Sequence, residues 1–264
     1  LSMTFGRYWA YSWWIYHGLY ALAFPILFGA WFLEIRRAGT VRALAEALSM
    51  RDAVAQLSRG YSKPIADLVE AIEWKDRYTH GHVRRVASYA VMIGKELGLP
   101  GSELRNLALG AQLHDVGKIS VPDNILGKPS RLTPEEFEVI KQHVERGYEI
   151  AKSVKALDGA VDGIHLHHER WDGAGYPLGL AGEAIPLQAR IVAVADAYDA
   201  MTSGRVYQPA VTDGAAFSEM ERCRGTHFDP RCVDAFLTAL RKARDEGEFP
   251  MVQTSLEHSH GAAA

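Results

Sequence analysis

Hydrophobic and polar positions divide the chain into a long uncharged opening and a body of helical periodicity. Residues 8–33 contain no Asp, Glu, Lys or Arg. As one helix these 26 residues span roughly 39 Å at about 1.5 Å per residue, enough for a hydrocarbon core of about 30 Å with some tilt. Trp9, Trp13, Trp14 and Trp31 cluster toward the two ends of the run, as interfacial aromatics do. Pro25 and Gly29 are tolerated in a transmembrane helix. A cleaved signal peptide fits less well, because the run is long and no basic stretch precedes it. Arg36, Arg37 and Arg42 follow the run and only Arg7 precedes it. The positive-inside rule then places the remainder in the cytoplasm, at the inner membrane. His17 lies within the run and has no partner in view.

The body reads as helix throughout. Residues 34–58 are rich in Ala, Leu, Arg and Glu, a linker or signalling helix leading out of the membrane, which admits a homodimer. Its apolar pattern is too short and impure for a coiled coil. Gly60, Ser62 and Pro64 end it. Ile65, Leu68, Val69 and Ile72 then mark an apolar face, and Leu104, Leu107, Ala108 and Ala111 another. Thr133, Pro134 and Glu136 form a helix-start signature, with Phe137, Ile140 and Val144 as the expected buried face. Residues 190–201 predict a buried helix, and Phe236, Leu237 and Leu240 close the series. No alternating run is long enough for a strand. The expected architecture is all-α: a transmembrane helix in 1–33, a linker over 34–60, one helical domain over 61–245 and a disordered tail over 246–264.

Composition narrows the functional classes. A hydrophobic share of 48% with 23% charged residues is ordinary for a globular protein. A net charge of -3 supplies no basic footprint for DNA or RNA. Cys223 and Cys232 are too few for a disulfide framework or a cysteine-rich zinc site. Histidine stands out, with eleven in the chain. His82, the pair His114-Asp115, His143 and the pair His167-His168 occur in order, followed by Asp196 within an aliphatic helix. An ionised carboxylate there needs a cation or a partner. Imidazole mixed with carboxylate suits Fe, Mn or Zn and not Ca or Mg. Spacing alone leaves a metal site and satisfied core histidines both open.

The ordered set His82, His114-Asp115, Asp196 resembles the signature of the HD phosphohydrolase superfamily. The strings Leu113-His114-Asp115-Val116-Gly117-Lys118 and His167-His168-Glu169-Arg170-Trp171-Asp172-Gly173-Ala174-Gly175-Tyr176-Pro177 resemble its HD-GYP subfamily. Segments 199–205 and 225–230 match as well, so that the resemblance runs over about residues 65–240. It implies a helical bundle that hydrolyses cyclic di-GMP with two divalent metals, Fe or Mn. By position, His82, His114, Asp115 and Asp196 would hold one metal. Asp115 would bridge to a second, held by His143, His167 and His168. Lys118 would act beside Asp115 in catalysis and, with Tyr176 and Arg205, would contact substrate. A third metal in some members uses a Glu where this chain has Tyr78, so two are expected.

Water activated between two cations can attack the 3′-5′ phosphodiester to give linear pGpG, GMP or both. A non-catalytic cyclic di-GMP receptor and a phosphohydrolase for another cyclic dinucleotide are the competing readings. Gln208, where many relatives carry a basic residue, motivates the receptor. His80, His227 and Trp171 read as site-mouth, turn and packing residues rather than ligands, and His165 falls on another helix face from His167. Gly173 and Gly175 read as loop geometry. Glu169 and Asp172 read as partners of an imidazole or as helix caps. Asp199 reads as the partner of a base.

Overall fold

The computed structural model describes residues 63–75, 81–203 and 210–245. The expected membrane span, the linker helix and the tail lie outside them, as do Tyr78, His80, Arg205 and Gln208. Among the described residues no helix is long and apolar enough to cross a membrane.

The described chain is helical, with no strand beyond one isolated bridge between Arg224 and Phe228. In order come α1 (Lys63–Lys75), α2 (His82–Glu96), α3 (Gly101–Leu113), α4 (Asp123–Leu126), α5 (Pro134–Lys141), α6 (His143–Lys152), α7 (Val161–His165), α8 (Leu187–Ser203), α9 (Asp213–Arg222) and α10 (Pro230–Asp245). A 3-10 helix, Val116–Ser120, follows α3. The expected apolar faces map onto α1, α3, α8 and α10, whereas the sequence pattern predicts no helix at α2, α4, α7 or α9.

Local chemistry explains several of the boundaries. Thr133 Oγ1 accepts the Glu136 N–H at 3.2 Å, and Glu136 Oε2 accepts the Thr133 N–H at 2.8 Å. This reciprocal capping box, with Pro134 in the first turn, starts α5. Asp229 caps α10 by accepting the Arg231 N–H at 2.8 Å, ahead of Pro230. The buried Asp229 carboxylate also takes Arg190 Nη1 at 2.6 Å, which ties α10 to α8.

Two main cores hold the bundle, beside a small cluster of Leu166, Ile185 and Ala189. The larger lies among α2, α3, α8 and α10. At its centre the rings of Tyr89, Tyr198 and Phe236 meet edge to face, with centroids 5.2, 5.7 and 4.9 Å apart. The smaller joins Ile65 of α1, Leu113 of α3, Val116 of the 3-10 helix and Ile164 of α7.

The helix expected to run through 133–144 is in fact two. α5 stops at Lys141 and α6 starts at His143, turning at Gln142. Val144 therefore belongs to α6 and is fully buried there, while Phe137 on α5 is 45% exposed, contrary to expectation. The helical period is broken at Gln142, so the three residues do not share one face.

Candidate metal centre

Helix ends deliver the imidazoles. His82 is the first residue of α2 and His143 the first of α6. His114 and Asp115 directly follow α3, and His167 and His168 lie just beyond α7. Asp196 projects from the middle of α8. The packing of five helices therefore brings together ligand-type side chains that are far apart in the chain.

They form two clusters. Donor atoms of His82, His114 and Asp115 lie within 4.8 Å of one another, as do those of His143, His167 and His168. Asp115 stands between the clusters: its Oδ2 is 3.3 Å from His114 Nε2 and its Oδ1 is 3.5 Å from His143 Nε2. Asp196 Oδ1 lies 3.5 Å from His82 Nε2 and 3.9 Å from His114 Nε2. His143 Nε2 and His167 Nε2 face each other at 3.5 Å. Ligand atoms about 2.1 Å from one cation sit about 3–3.5 Å apart, so these gaps match shared coordination.

Hydrogen bonds orient the rings. Nδ1 of His114, His143 and His167 donates to the carbonyl three residues earlier, of Ala111, Ile140 and Ile164, at 2.7, 2.7 and 3.0 Å. A carbonyl only accepts, so Nδ1 carries the proton and Nε2 offers its lone pair to the centre. His82 Nδ1 meets Asp199 Oδ2 at 2.8 Å. His114 Nε2 is buried and makes no hydrogen bond of good geometry, with Asp115 Oδ2 3.3 Å away. An orphaned buried nitrogen beside two carboxylates fits a cation site.

The electrostatics agree. Burial depresses His143; burial and the neighbouring His168 hold His167 well below the imidazole range; burial and His143 bring His168 to about 3. These rings stay neutral, as metal ligands must be. Burial alone would lower His114, but the charges of Asp115 and Asp196 outweigh it and raise it to about 9. Burial would likewise raise Asp115, yet Lys118 and His114 hold it well below the carboxylate range.

A proton therefore competes with a cation at His114, which is protonated below a pKa of about 9 and must lose that proton to bind metal. Affinity for Mn is expected to rise with pH up to about 9, by up to about tenfold per unit. Calorimetry near neutral pH should show proton release, as a heat that varies with the buffer's ionisation enthalpy. A pH-independent affinity would contradict this.

Lys118 Nζ lies 2.6 Å from Asp115 Oδ2, a cation at the carboxylate that stands between the clusters. Tyr176 stacks on His168, centroids 4.8 Å apart and planes 23° from parallel. The buried Glu169 carboxylate accepts the N–H groups of Leu178, Gly179 and Leu180 at 2.6, 3.1 and 3.0 Å. It thereby fixes the loop carrying Tyr176 directly beside His168, and it touches no imidazole. Asp172 pairs with Arg170 and accepts the Ala174 N–H, and its charge acts on His227 rather than on an imidazole of the two clusters.

Gly175 has no room for a side chain, because a Cβ would lie 2.3 Å from the Arg170 nitrogen. Trp171 and Asp172 donate their N–H groups to the carbonyls of His227 and Thr226, joining two of the sequence motifs through main chain. His227 stacks on Phe228, and His165 stacks on Tyr148 and meets Glu145 at 3.2 Å. Neither histidine enters a cluster.

The carboxylate sealed in the helix is Asp199, 1% exposed, rather than Asp196, which is only partly buried. Arg85 grips Asp199 through Nε and Nη2 at 2.6 and 3.0 Å, and the same carboxylate orients His82. Arg85 escaped the sequence reading. Its place three residues after His82, on one helix face, was the available signal. The sequence-derived ligand set His82, His114, Asp115, His143, His167, His168 and Asp196 is thus gathered in one place, with Lys118 and Tyr176 beside it.

A family model described as "HD domain" matches residues 68–232. The cyclic di-GMP phosphodiesterase response regulator RpfG of Xanthomonas campestris pv. campestris is 46% identical over 176 residues, covering 66% of this chain and 46% of the relative. The 3′3′-cGAMP-specific phosphodiesterase 2 of Vibrio cholerae is 39% identical over 175 residues, covering 66% of this chain and 34% of the relative. The chain therefore spans less than half the length of these curated relatives. In fold it is similar to the crystal structure of a cyclic GMP-AMP-specific phosphodiesterase in V. cholerae (V-cGAP3), with a TM-score of 0.53, 21% identity and coverage of 68% of this chain and 48% of the other. The helical architecture, the gathered histidines and the matched segment place the chain in the HD domain family, in its HD-GYP branch.

Proposed function

We propose that the protein is a metal-dependent phosphodiesterase that opens cyclic di-GMP at a 3′-5′ phosphodiester, giving linear pGpG, GMP or both. The carrying observation is Asp115, whose two oxygens face different imidazole clusters 3.3 and 3.5 Å away. His82, His114, Asp115 and Asp196 would hold one cation, and Asp115, His143, His167 and His168 the other. The nitrogen-rich donor set favours Fe or Mn over Mg or Ca. When bound, two cations supply Lewis acidity toward phosphoryl oxygens and activate water at neutral pH.

The chain's own residues do the rest. Lys118 sets an ammonium beside the bridging carboxylate, where it can meet the charge developing on phosphate or protonate the departing 3′ oxygen. Tyr176, packed on His168, walls one side of the centre and meets substrate there. Arg205, carried by the sequence motif, is assigned to the phosphate as a planar fork. The relatives named for cyclic di-GMP and 3′3′-cGAMP support a cyclic dinucleotide as substrate. We further propose that residues 8–33 anchor the protein in the inner membrane with the catalytic domain on the cytoplasmic side, supported by the uncharged run and the arginines that follow it.

The test is anaerobic reconstitution of the full chain with Fe or Mn and chromatography of products from cyclic di-GMP, with 3′3′-cGAMP as competitor. Linear dinucleotide or GMP is expected. Tight binding without turnover under either metal would instead make the domain a receptor. Faster turnover of 3′3′-cGAMP would reassign the substrate.

A further inference from the structure

Lys141 has no part in the centre as described, yet it stands at its edge. It is the last residue of α5, two before His143. Its Nζ lies 5.2 Å from the centroid of Phe137 and 5.5 Å from that of Tyr176, whose ring stacks on His168. A cation held against two aromatic faces has a defined position. Its carboxylate contact is Glu138 Oε1 at 2.6 Å, in a pair whose side chains are 30% and 66% exposed. Such exposed pairs contribute little and exchange readily for a better anion.

The surroundings of Lys141 are equally pointed. Among the described residues, the large hydrophobic side chains left exposed are Ile119, Phe137 and Leu178. Ile119 adjoins Lys118, Leu178 is two residues past Tyr176, and Phe137 lies under Lys141. Exposed apolar side chains scattered on a surface need no explanation, but Phe137 is tied in space to Tyr176 through Lys141, at the edge of the centre. Aromatic rings with an ammonium fixed against them match a ligand that combines flat bases with an anionic group.

Resting on the phosphodiesterase reading, we propose that Lys141 binds the second, uncleaved phosphate of the cyclic dinucleotide while the first lies at the centre. Phe137 carries the aliphatic stem of Lys141 and borders the adjoining base. A cyclic dinucleotide has two diester anions, and the two clusters with Lys118 and Arg205 serve one. The other needs a counter-charge at the rim, and Lys141 supplies it. Lys141 is thus a specificity residue, separating dinucleotides from single diesters.

The test compares the full chain and its Lys141→Ala and Lys141→Arg variants, each loaded with Mn. The substrates are cyclic di-GMP and bis(4-nitrophenyl) phosphate, which has one phosphate and no nucleobase. In Lys141→Ala the KM for cyclic di-GMP is expected to rise about tenfold with kcat within about twofold, so selectivity over the small diester falls about tenfold. Lys141→Arg should recover most of the loss, because the charge remains. An unchanged KM in Lys141→Ala, or equal losses on both substrates, would overturn the proposal while leaving the phosphodiesterase reading standing. A parent chain that binds metal and cleaves neither substrate would overturn that reading, and this inference with it.

Discussion

Replacing Asp115 by Ala is expected to abolish hydrolysis and empty the centre of metal. Its two oxygens face His114 Nε2 and His143 Nε2, and its Oδ2 also takes Lys118 Nζ at 2.6 Å. Removing it would take the carboxylate that faces both clusters and the carboxylate oxygen 2.6 Å from Lys118 Nζ. The expected loss in kcat/KM is at least about a thousandfold, about 4 kcal/mol of transition-state stabilisation. Metal analysis of the purified variant should fall from two equivalents to below one. The main chain around Asp115 is held by α3 and the 3-10 helix, so the helical circular dichroism should persist. A variant that kept both metals and a tenth of the activity would remove Asp115 from the bridging position.

Gly117→Ala is expected to be the most damaging small substitution in the described chain. A Cβ there would lie 1.8 Å from the His143 carbonyl oxygen and 2.6 Å from the Gly147 nitrogen. Both are main-chain atoms of α6 and cannot swing aside. The 3-10 helix and α6 would have to separate, pulling Asp115 from His143. A cost of about 3 kcal/mol or more follows from overpacking against backbone, and it lowers Tm by roughly 10 °C in a domain of this size. Gly101→Ala is the control, since nothing lies within 4 Å of its added Cβ. It sits in the first turn of α3, where alanine is the better helix former. Thermal melts that fail to separate the two variants would contradict the close approach.

Much of this architecture was legible from periodicity and motif chemistry. Leu107, Ala108 and Ala111 repeat at helical spacing and are fully buried in α3. Thr133 and Glu136 announced a capping box because both partners lie within four residues. The ligand-type residues were visible through an ordered pattern, which does not require knowing how the helices pack.

What stayed hidden depends on contacts distant in sequence. Nothing near Phe137 says that the helix turns at Gln142 and leaves its ring exposed. Asp196 and Asp199 look alike in an aliphatic segment. Only the packing of α2 against α8 shows Asp199 to be the sealed carboxylate, matched by Arg85. Gly117 and Gly175 sit in recognisable strings, but their need to be glycine comes from a carbonyl 26 residues away in one case and from the chain doubling back on residues 168–170 in the other.

The carbonyl contacts of His114, His143 and His167 carry a consequence for how such a centre changes over generations. Their orienting partners are main-chain atoms of Ala111, Ile140 and Ile164, which every side-chain replacement leaves in place. Mutation can alter those three residues freely, within the limits of packing, without untuning the rings. His82 differs, because it leans on the Asp199 side chain, which Arg85 steadies in turn. Three codons, not one, must be kept to hold that ring. Lineages that relax selection on catalysis should therefore lose the His82 corner first, and a descendant that has traded turnover for mere recognition would show its earliest scars at positions 82, 85 and 199.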